Sequence, residues 1–280
     1  MAFIFIYKYI PYKMKHIELF KDGFDSTVQE KIQPENWPYV GHDMVTGEIV
    51  YTVIPEEKPL EYKIVDLGLP SGLKWSDRNI GAETPQAYGL YFDWGNIDGH
   101  AVGENNNTID GYSFDKNTYY TTLGGQYKGS ELDAEHDAAT VYMGSDWRMP
   151  TVVETLELIQ NTDHYYIGED GSIVAGPFDH TVKHSDKGLD GSKLRSICFV
   201  KKDETFYYDN RSNFIEFPIA GFCDGSLLDF DGWNGYVWAS SVRKIGEGLA
   251  YSMSFSARGY LNGDGLNANY FGHPVRGVHA

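Results

Sequence analysis

Apolar and polar residues recur along this chain in short blocks, and the sharpest block closes a loop and opens a helix. In residues 144–159, Thr151 is placed to cap a helix while Glu154, three residues on, reaches back to the Thr151 amide. Val152, Leu156 and Ile159, with Val153 beside them, recur at helical spacing and predict an apolar face, leaving Glu154 and Glu157 off it. Elsewhere the period is two. Tyr251, Met253 and Phe255 alternate with Ser252, Ser254 and Ser256, which predicts a strand over 250–256 with one core face and one small polar face. Runs at 197–201 and 214–220 predict a hairpin, and further strands are expected over 236–238 and 271–278. Thr84, with Pro85 at the first helical position, predicts a helix through Tyr91 that ends at Trp94-Gly95; residues 133–139 predict a short capped one. Residues 99–129 and 163–193 read as loop-rich excursions. An amphipathic helix among short aromatic and β-branched runs predicts packing on a twisted antiparallel sheet, an α+β architecture.

The chain before residue 61 has a different character. Residues 1–13 are apolar but broken by Lys8, without a preceding charge or a small-residue cleavage pattern, and read as a flexible or mis-assigned start. Residues 14–60 read as an arm rather than a domain: one or two helical turns over 25–32, Trp37, and a hairpin-like pair around Thr46-Gly47. Residues 55–59, with a proline at each end, read as a stiff linker into the main domain, 61–280.

Composition narrows the function classes. The 280 residues permit one large or two modest domains, and 15% aromatic content with 31 glycines suits loop-rich β structure. A formal net charge of -17 repels phosphate backbones and anionic membranes, so neither nucleic acid nor lipid is an expected partner. Two cysteines make no disulfide framework.

The block Trp147-Arg148-Met149-Pro150-Thr151, followed by Glu154 and Leu158, resembles the W-R/H-M/L-P-T-x-x-E-x-x-x-L segment of a C-type-lectin-like domain of the Fibrobacter succinogenes major paralogous domain type. Residues 65–75 are similar to that family's opening strand and 81–95 to its first helix with a tryptophan exit, while 217–221, 235–241 and 275–278 complete the ordered set. The resemblance covers 61–280 and implies a C-type-lectin-like fold, two helices on twisted antiparallel sheets with long loops. Pro274 and Gly277 stand where the family usually has Ser and Pro, so the last strand is expected to be an edge or to carry a bulge. In the leader, residues 35–40 and 46–51 resemble leader segments of virion proteins in crAss-like phages. In related lectin-like domains the ligand face is built near the C-terminus. Carried to this sequence, that implicates Trp233, Asn234, Tyr236, Arg243, Arg258, Tyr260, Asn262, Asp264, Asn267, Asn269 and Tyr270 in ligand binding. A plain polar hairpin over 259–270 is the alternative.

Catalytic signatures are missing. The chain has no Gly-x-Ser-x-Gly elbow and no phosphate-cradling glycine loop before a helix. His180 and His184 lie in a loop context, and no carboxylate follows in His-Glu-x-x-His form. Asp224, Asp229 and Asp231 crowd one glycine-rich loop where oxygen ligands could hold calcium, but Trp233 spoils the EF-hand pattern, and a solvated acidic loop is the expected reading. Formylglycine-generating enzymes share the lectin-like fold and use thiols. Here Cys198 sits mid-strand among apolar residues and Cys223 has no basic neighbour, so no enzyme activity, metal or cofactor is expected. Trp75, Trp94, Trp147 and Trp238 are expected in the core. The expected protein is a non-enzymatic virion component, a fibre, tail or capsid decoration. Its arm contacts other virion proteins and its displayed domain binds host-surface glycan or protein. A bacterial surface or fimbrial adhesin and a decoration protein without ligand are the alternatives, and a homo-oligomer is open.

Overall fold

The computed structural model describes residues 39–42, 49–52, 60–102, 108–109, 111–178, 189, 192–209, 211–244 and 246–279. The expectations for residues 1–13, the turns over 25–32, Trp37, the linker over 55–59, His180 and His184 lie outside these. The chain divides into two compact units, Met1–Leu60 and Glu61–Ala280. In the first, β1 (Tyr39–His42) pairs antiparallel with β2 (Ile49–Thr52), Val40 opposite Tyr51, which is the hairpin expected around Thr46-Gly47.

The second unit is built from sheets. Short strands β3 (Ile64–Val65), β4 (Lys74–Ser76), β6 (Trp147–Arg148) and β17 (Val278–His279) form one sheet in the order β3-β4-β17-β6. Val278 pairs with both Trp75 and Arg148, so the end of the chain is the strand that joins its opening to the central block. β5 (Tyr91–Phe92) pairs with β16 (His273–Pro274). Pro274 therefore falls in an edge pair, where a missing N–H breaks no second ladder, whereas the last strand, β17, is paired on both sides and is not the expected edge. A four-stranded sheet runs β10 (Phe214–Pro218), β9 (Leu194–Lys201), β7 (Thr162–Gly168), β8 (Ile173–Phe178). A five-stranded sheet runs β12 (Leu227–Asp231), β11 (Ala220–Asp224), β13 (Asn234–Val242), β14 (Leu249–Ser256), β15 (Leu261–Ala268), antiparallel except where β11 meets β13.

The described residues hold four helices: α1 (Lys116–Tyr119), α2 (Leu123–Gln126), α3 (Ala138–Met143) and α4 (Val152–Gln160). With three of them six residues or shorter, the two-helix, C-type-lectin-like α+β fold is not what the chain forms; antiparallel sheet dominates. The expected helix over 84–91 is a turn followed by β5. Gly89 there has φ +78°, and a Cβ on it would lie 2.4 Å from the Ile80 carbonyl, a close backbone approach that a helix cannot make. The short helix expected over 133–139 begins at Ala138, where Asp137 caps Thr140 N–H at 3.0 Å. The excursion over 163–193 contains the β7–β8 hairpin.

Only α4 carries the full start signal. Thr151 Oγ1 accepts from Glu154 N–H, and Glu154 accepts from Thr151 N–H at 2.8 Å. Arg148 then grips the same carboxylate at 2.7 Å. Burial pushes the Glu154 pKa up, but the Arg148 and Thr151 hydrogen bonds outweigh it and hold the group below its ordinary range. The buried face of α4 is Thr155, Leu158 and Ile159, rotated from the expected one, and Val153 is 69% exposed. The reason is the partner. Gly263 of β15 leaves room for Leu156 and Ile159, and its carbonyl accepts from Thr155 Oγ1 at 2.7 Å.

The main core lies between α4, the four-stranded sheet and one face of the five-stranded sheet, and includes Trp75, Leu158, Phe199, Phe217, Met253 and Phe255. A second core on the opposite face holds Phe92, Trp94, Met149, Trp238 and Val275. The small polar face of β14 is therefore covered too: Ser252 is fully buried and Ser254 nearly so. Arg276, also fully buried, joins the layers by donating to Asn79 Oδ1, Ser76 O and Glu216 O, with Phe217 4.0 Å beneath its guanidinium. Among the described residues no helix is long and apolar enough to cross a membrane.

Candidate functional site: an aromatic and amide face

Register places the side chains of the five-stranded sheet. Tyr236 stands opposite Ser254, and Ser254 opposite Asn262, so the three share a face. Trp238 and Ser252 continue that face inward, where His273 stacks on the Trp238 ring at 3.9 Å and on Tyr236 at 5.0 Å. Burial lowers the His273 pKa to about 3, so it serves as a neutral packing ring. Beyond Tyr236 the cover ends. Asn234, Ser256 and Asn262 are half-buried, and Tyr260 is 55% exposed. Ser256 Oγ accepts from the Tyr260 amide, and Asn262 donates to the Tyr260 hydroxyl at 2.9 Å, so this ring is tethered at both ends. On the other flank, Phe222 meets Tyr236 edge-on at 5.5 Å, and Phe230, 56% exposed, stacks on Phe222 at 5.9 Å. Phe230, near the end of β12, adopts φ +60°, an uncommon backbone conformation for a bulky residue.

A two-residue step between faces explains why β15 fits. Ser254 pairs with Asn262 but Ser252 with Gly265, so one extra residue bulges from β15. The bulge sends Gly263 to α4 while Asn262 and Asn267 stay on the aromatic face. Asn267 donates to Ser252 Oγ at 2.7 Å. Residues 261–268, within the 259–270 stretch whose alternative reading is a plain polar hairpin, form the edge strand β15.

That strand divides the residues inferred from the sequence. Asn234, Tyr236, Tyr260 and Asn262 gather on the open face, with Trp233 and Arg258 in the adjoining turns, where Ala257 N–H donates to the Trp233 carbonyl. Asp264 lies exposed on the bulge, and Asn267 lies one residue from the far end of β15. Arg243, Asn269 and Tyr270 sit at the far end of β13–β15, eight residues or about 26 Å of strand away. Arg243 is there engaged by Glu247 at 2.7 Å. The eleven residues do not form one surface. Phe222, Phe230 and Ser256 belong to the face and were missed. Period-two reading of 220–224 and 227–231 would have placed Phe222 outward, but the Phe230 conformation has no sequence signal.

No family model, curated protein or solved structure matches the chain. The chemistry of the site is therefore read from its own atoms. Asp224, Asp229 and Asp231 are spread over the β11–β12 hairpin, Asp231 lying 3.6 Å from Lys193, and no group of three or more His, Cys, Asp or Glu side chains among the described residues is arranged to hold a metal ion. Cys198 and Cys223 are buried, and burial pushes both thiols up, Cys198 well above its ordinary value. Neither is placed as a nucleophile. What the face offers is flat apolar ring area edged by amides and hydroxyls that both donate and accept.

Proposed function

We propose that this chain is a non-enzymatic attachment protein of a virion, whose second unit binds a host-surface saccharide on the open half of the five-stranded sheet. The observation that carries the reading is the run Phe230, Phe222, Tyr236, Tyr260 bordered by Asn234, Ser256 and Asn262. A pyranose has one face of C–H groups and a rim of hydroxyls. The aromatic rings cover the first, and side-chain amides answer the second. Because Tyr236 and Tyr260 are fixed by neighbours before any ligand arrives, little rotamer entropy is lost on binding. The virion assignment rests on the leader blocks at 35–40 and 46–51.

A glycan array probed with the chain and with Phe230→Ala, Tyr236→Ala and Tyr260→Ala tests this. Each variant should weaken binding by about 5- to 30-fold, or ~1–2 kcal/mol, as exposed aromatic anchors do. Phe230 and Tyr260 variants should melt like the parent. Equal binding by all three would remove this face. Binding to no glycan but to intact host cells would move the ligand to protein, and binding to neither would favour a decoration protein. Its absence from purified particles would favour a bacterial surface adhesin.

A further inference from the structure

A second recessed site lies at the opposite end of the same strands, beyond the face described above. There the turn carrying α1 and α2 and the turn joining β13 to β14 enclose a cleft of about 190 Å³. Its walls are aromatic: Trp94, Tyr119, Tyr120 and Tyr127. They are also fixed. Tyr119 donates to the Trp94 carbonyl at 3.0 Å, Tyr127 to the Glu131 carbonyl, and the Trp94 and Tyr127 rings lie 5.9 Å apart. Gly124 and Gly125 form a floor that admits no side chain, since a Cβ would fall 2.4 Å from the Trp94 carbonyl and 2.1 Å from the Tyr119 carbonyl.

Two polar features face this space. Asn269 has both backbone groups engaged, with Trp94 N–H and the Gly248 carbonyl, yet its Oδ1 is buried with no hydrogen-bond partner among the described residues. Gly248 lies beside both walls of the cleft: a Cβ built on it would come 3.8 Å from that oxygen and from the Tyr120 hydroxyl. A buried acceptor without a partner is costly, and a ligand hydroxyl would satisfy it. The second feature is charge. Lys128 and Lys244 line the mouth, and Lys116 lies 5.9 Å over the Tyr120 ring. Among the described residues Lys116 and Lys128 have no carboxylate partner, and Lys244 reaches Glu247 only at 3.5 Å, while Arg243 holds that same carboxylate at 2.7 Å. In a chain of net charge -17, a lysine-rimmed mouth selects for an anion.

We infer that this cleft binds a single sugar unit carrying a carboxylate, its ring against the tyrosines, a hydroxyl on Asn269 Oδ1 and its carboxylate toward Lys128 and Lys244. The size suits one residue of a glycan rather than a chain, and the site does not depend on the sheet face.

Titration calorimetry on the full chain, with sodium glucuronate, glucose and sodium acetate at matched ionic strength, tests the inference. Glucuronate should bind, glucose about tenfold or more weakly, because the charge-assisted contacts are lost, and acetate not measurably. The double variant Lys128→Ala, Lys244→Ala should reduce glucuronate to the level of glucose, and Tyr120→Ala should weaken both sugars. All four side chains of the comparison pair Tyr236→Ala and Tyr260→Ala, and of the lysine pair, are at the surface or its margin, so melts of the variants report folding separately. Absence of glucuronate binding overturns the inference. So do glucose or acetate binding as tightly as glucuronate, a lysine double variant that binds like the parent, or loss with Tyr260→Ala but not with Tyr120→Ala. Failure of the sheet-face variants on the array leaves this result untouched.

Discussion

Asp93 is 1% exposed, just after β5, with the Tyr112 hydroxyl donating to its Oδ2 at 2.6 Å. Burial is the largest influence on it and raises its pKa from 3.8 to about 7, against the hydrogen bonds from Tyr112 and Asn96. The native state therefore binds this proton more tightly than the unfolded chain does. Stability from this group is fullest below about pH 4, declines as pH rises toward 7, and is flat above. At about 1.4 kcal/mol for each pH unit, ionising Asp93 in place costs about 4 kcal/mol. Asp93→Asn keeps an acceptor for Tyr112 and cannot ionise. Urea unfolding of parent and variant at pH 4.5, 6 and 8 isolates the effect, because every other titrating group is common to both. The variant should be the more stable at pH 8, by up to ~4 kcal/mol, with the difference shrinking as pH falls. A difference that does not change with pH, or a variant less stable at pH 8, would refute the assignment of a buried, proton-holding carboxyl here.

Glu216, fully buried, accepts from Ser196, Tyr208, Gln86 and Arg211, each at 2.6–2.7 Å. Burial pushes its pKa up, but these donors outweigh it and leave the group below its ordinary 4.5, so its contribution is present above that pH and fades as pH falls further. Glu216→Ala should cost about 3–5 kcal/mol in thermal melts, since Arg211 and Arg195, the latter 3.3 Å from the same carboxylate, lose their partner; a melt like the parent's would show the network to be dispensable. Trp147→Ala, at 8% exposure, should cost ~3–5 kcal/mol and lose binding only through unfolding. Thr151→Ala should cost about 1 kcal/mol by uncapping α4, and an unchanged urea midpoint would mean that Arg148 and Glu154 hold the helix start alone. Chelation by EDTA, or changing Cys198 and Cys223 to Ala in a chain that stays folded, should leave ligand binding intact; loss under either treatment would restore metal or thiol chemistry.

Some of this molecule is written locally and some is not. The α4 start is legible because a capping box is a relation between residues three apart, Thr151 and Glu154, and needs nothing else. The hairpin of β9 with β10 and the strand β14 are legible because their period of two is local too. The face that α4 buries is not, because Gly263, more than a hundred residues away, decides which side of the helix finds room. The same holds for the expected helix over 84–91, which fails where Gly89 must approach the Ile80 backbone. It holds again for residues 261–268, which only pairing with β14 makes a strand. The candidate residues follow that division. Aromatic and amide types in the last third of the chain were visible as a binding composition, yet composition has no direction. Only the register of β13, β14 and β15, with the bulge at Gly263, puts Tyr236, Tyr260 and Asn262 on one face and carries Arg243 and Asn269 to the other end. Phe222 and Phe230 join them through contacts that no spacing encodes, because a side chain's neighbours across a sheet are set by pairing between distant segments, while its type and period are set where it stands.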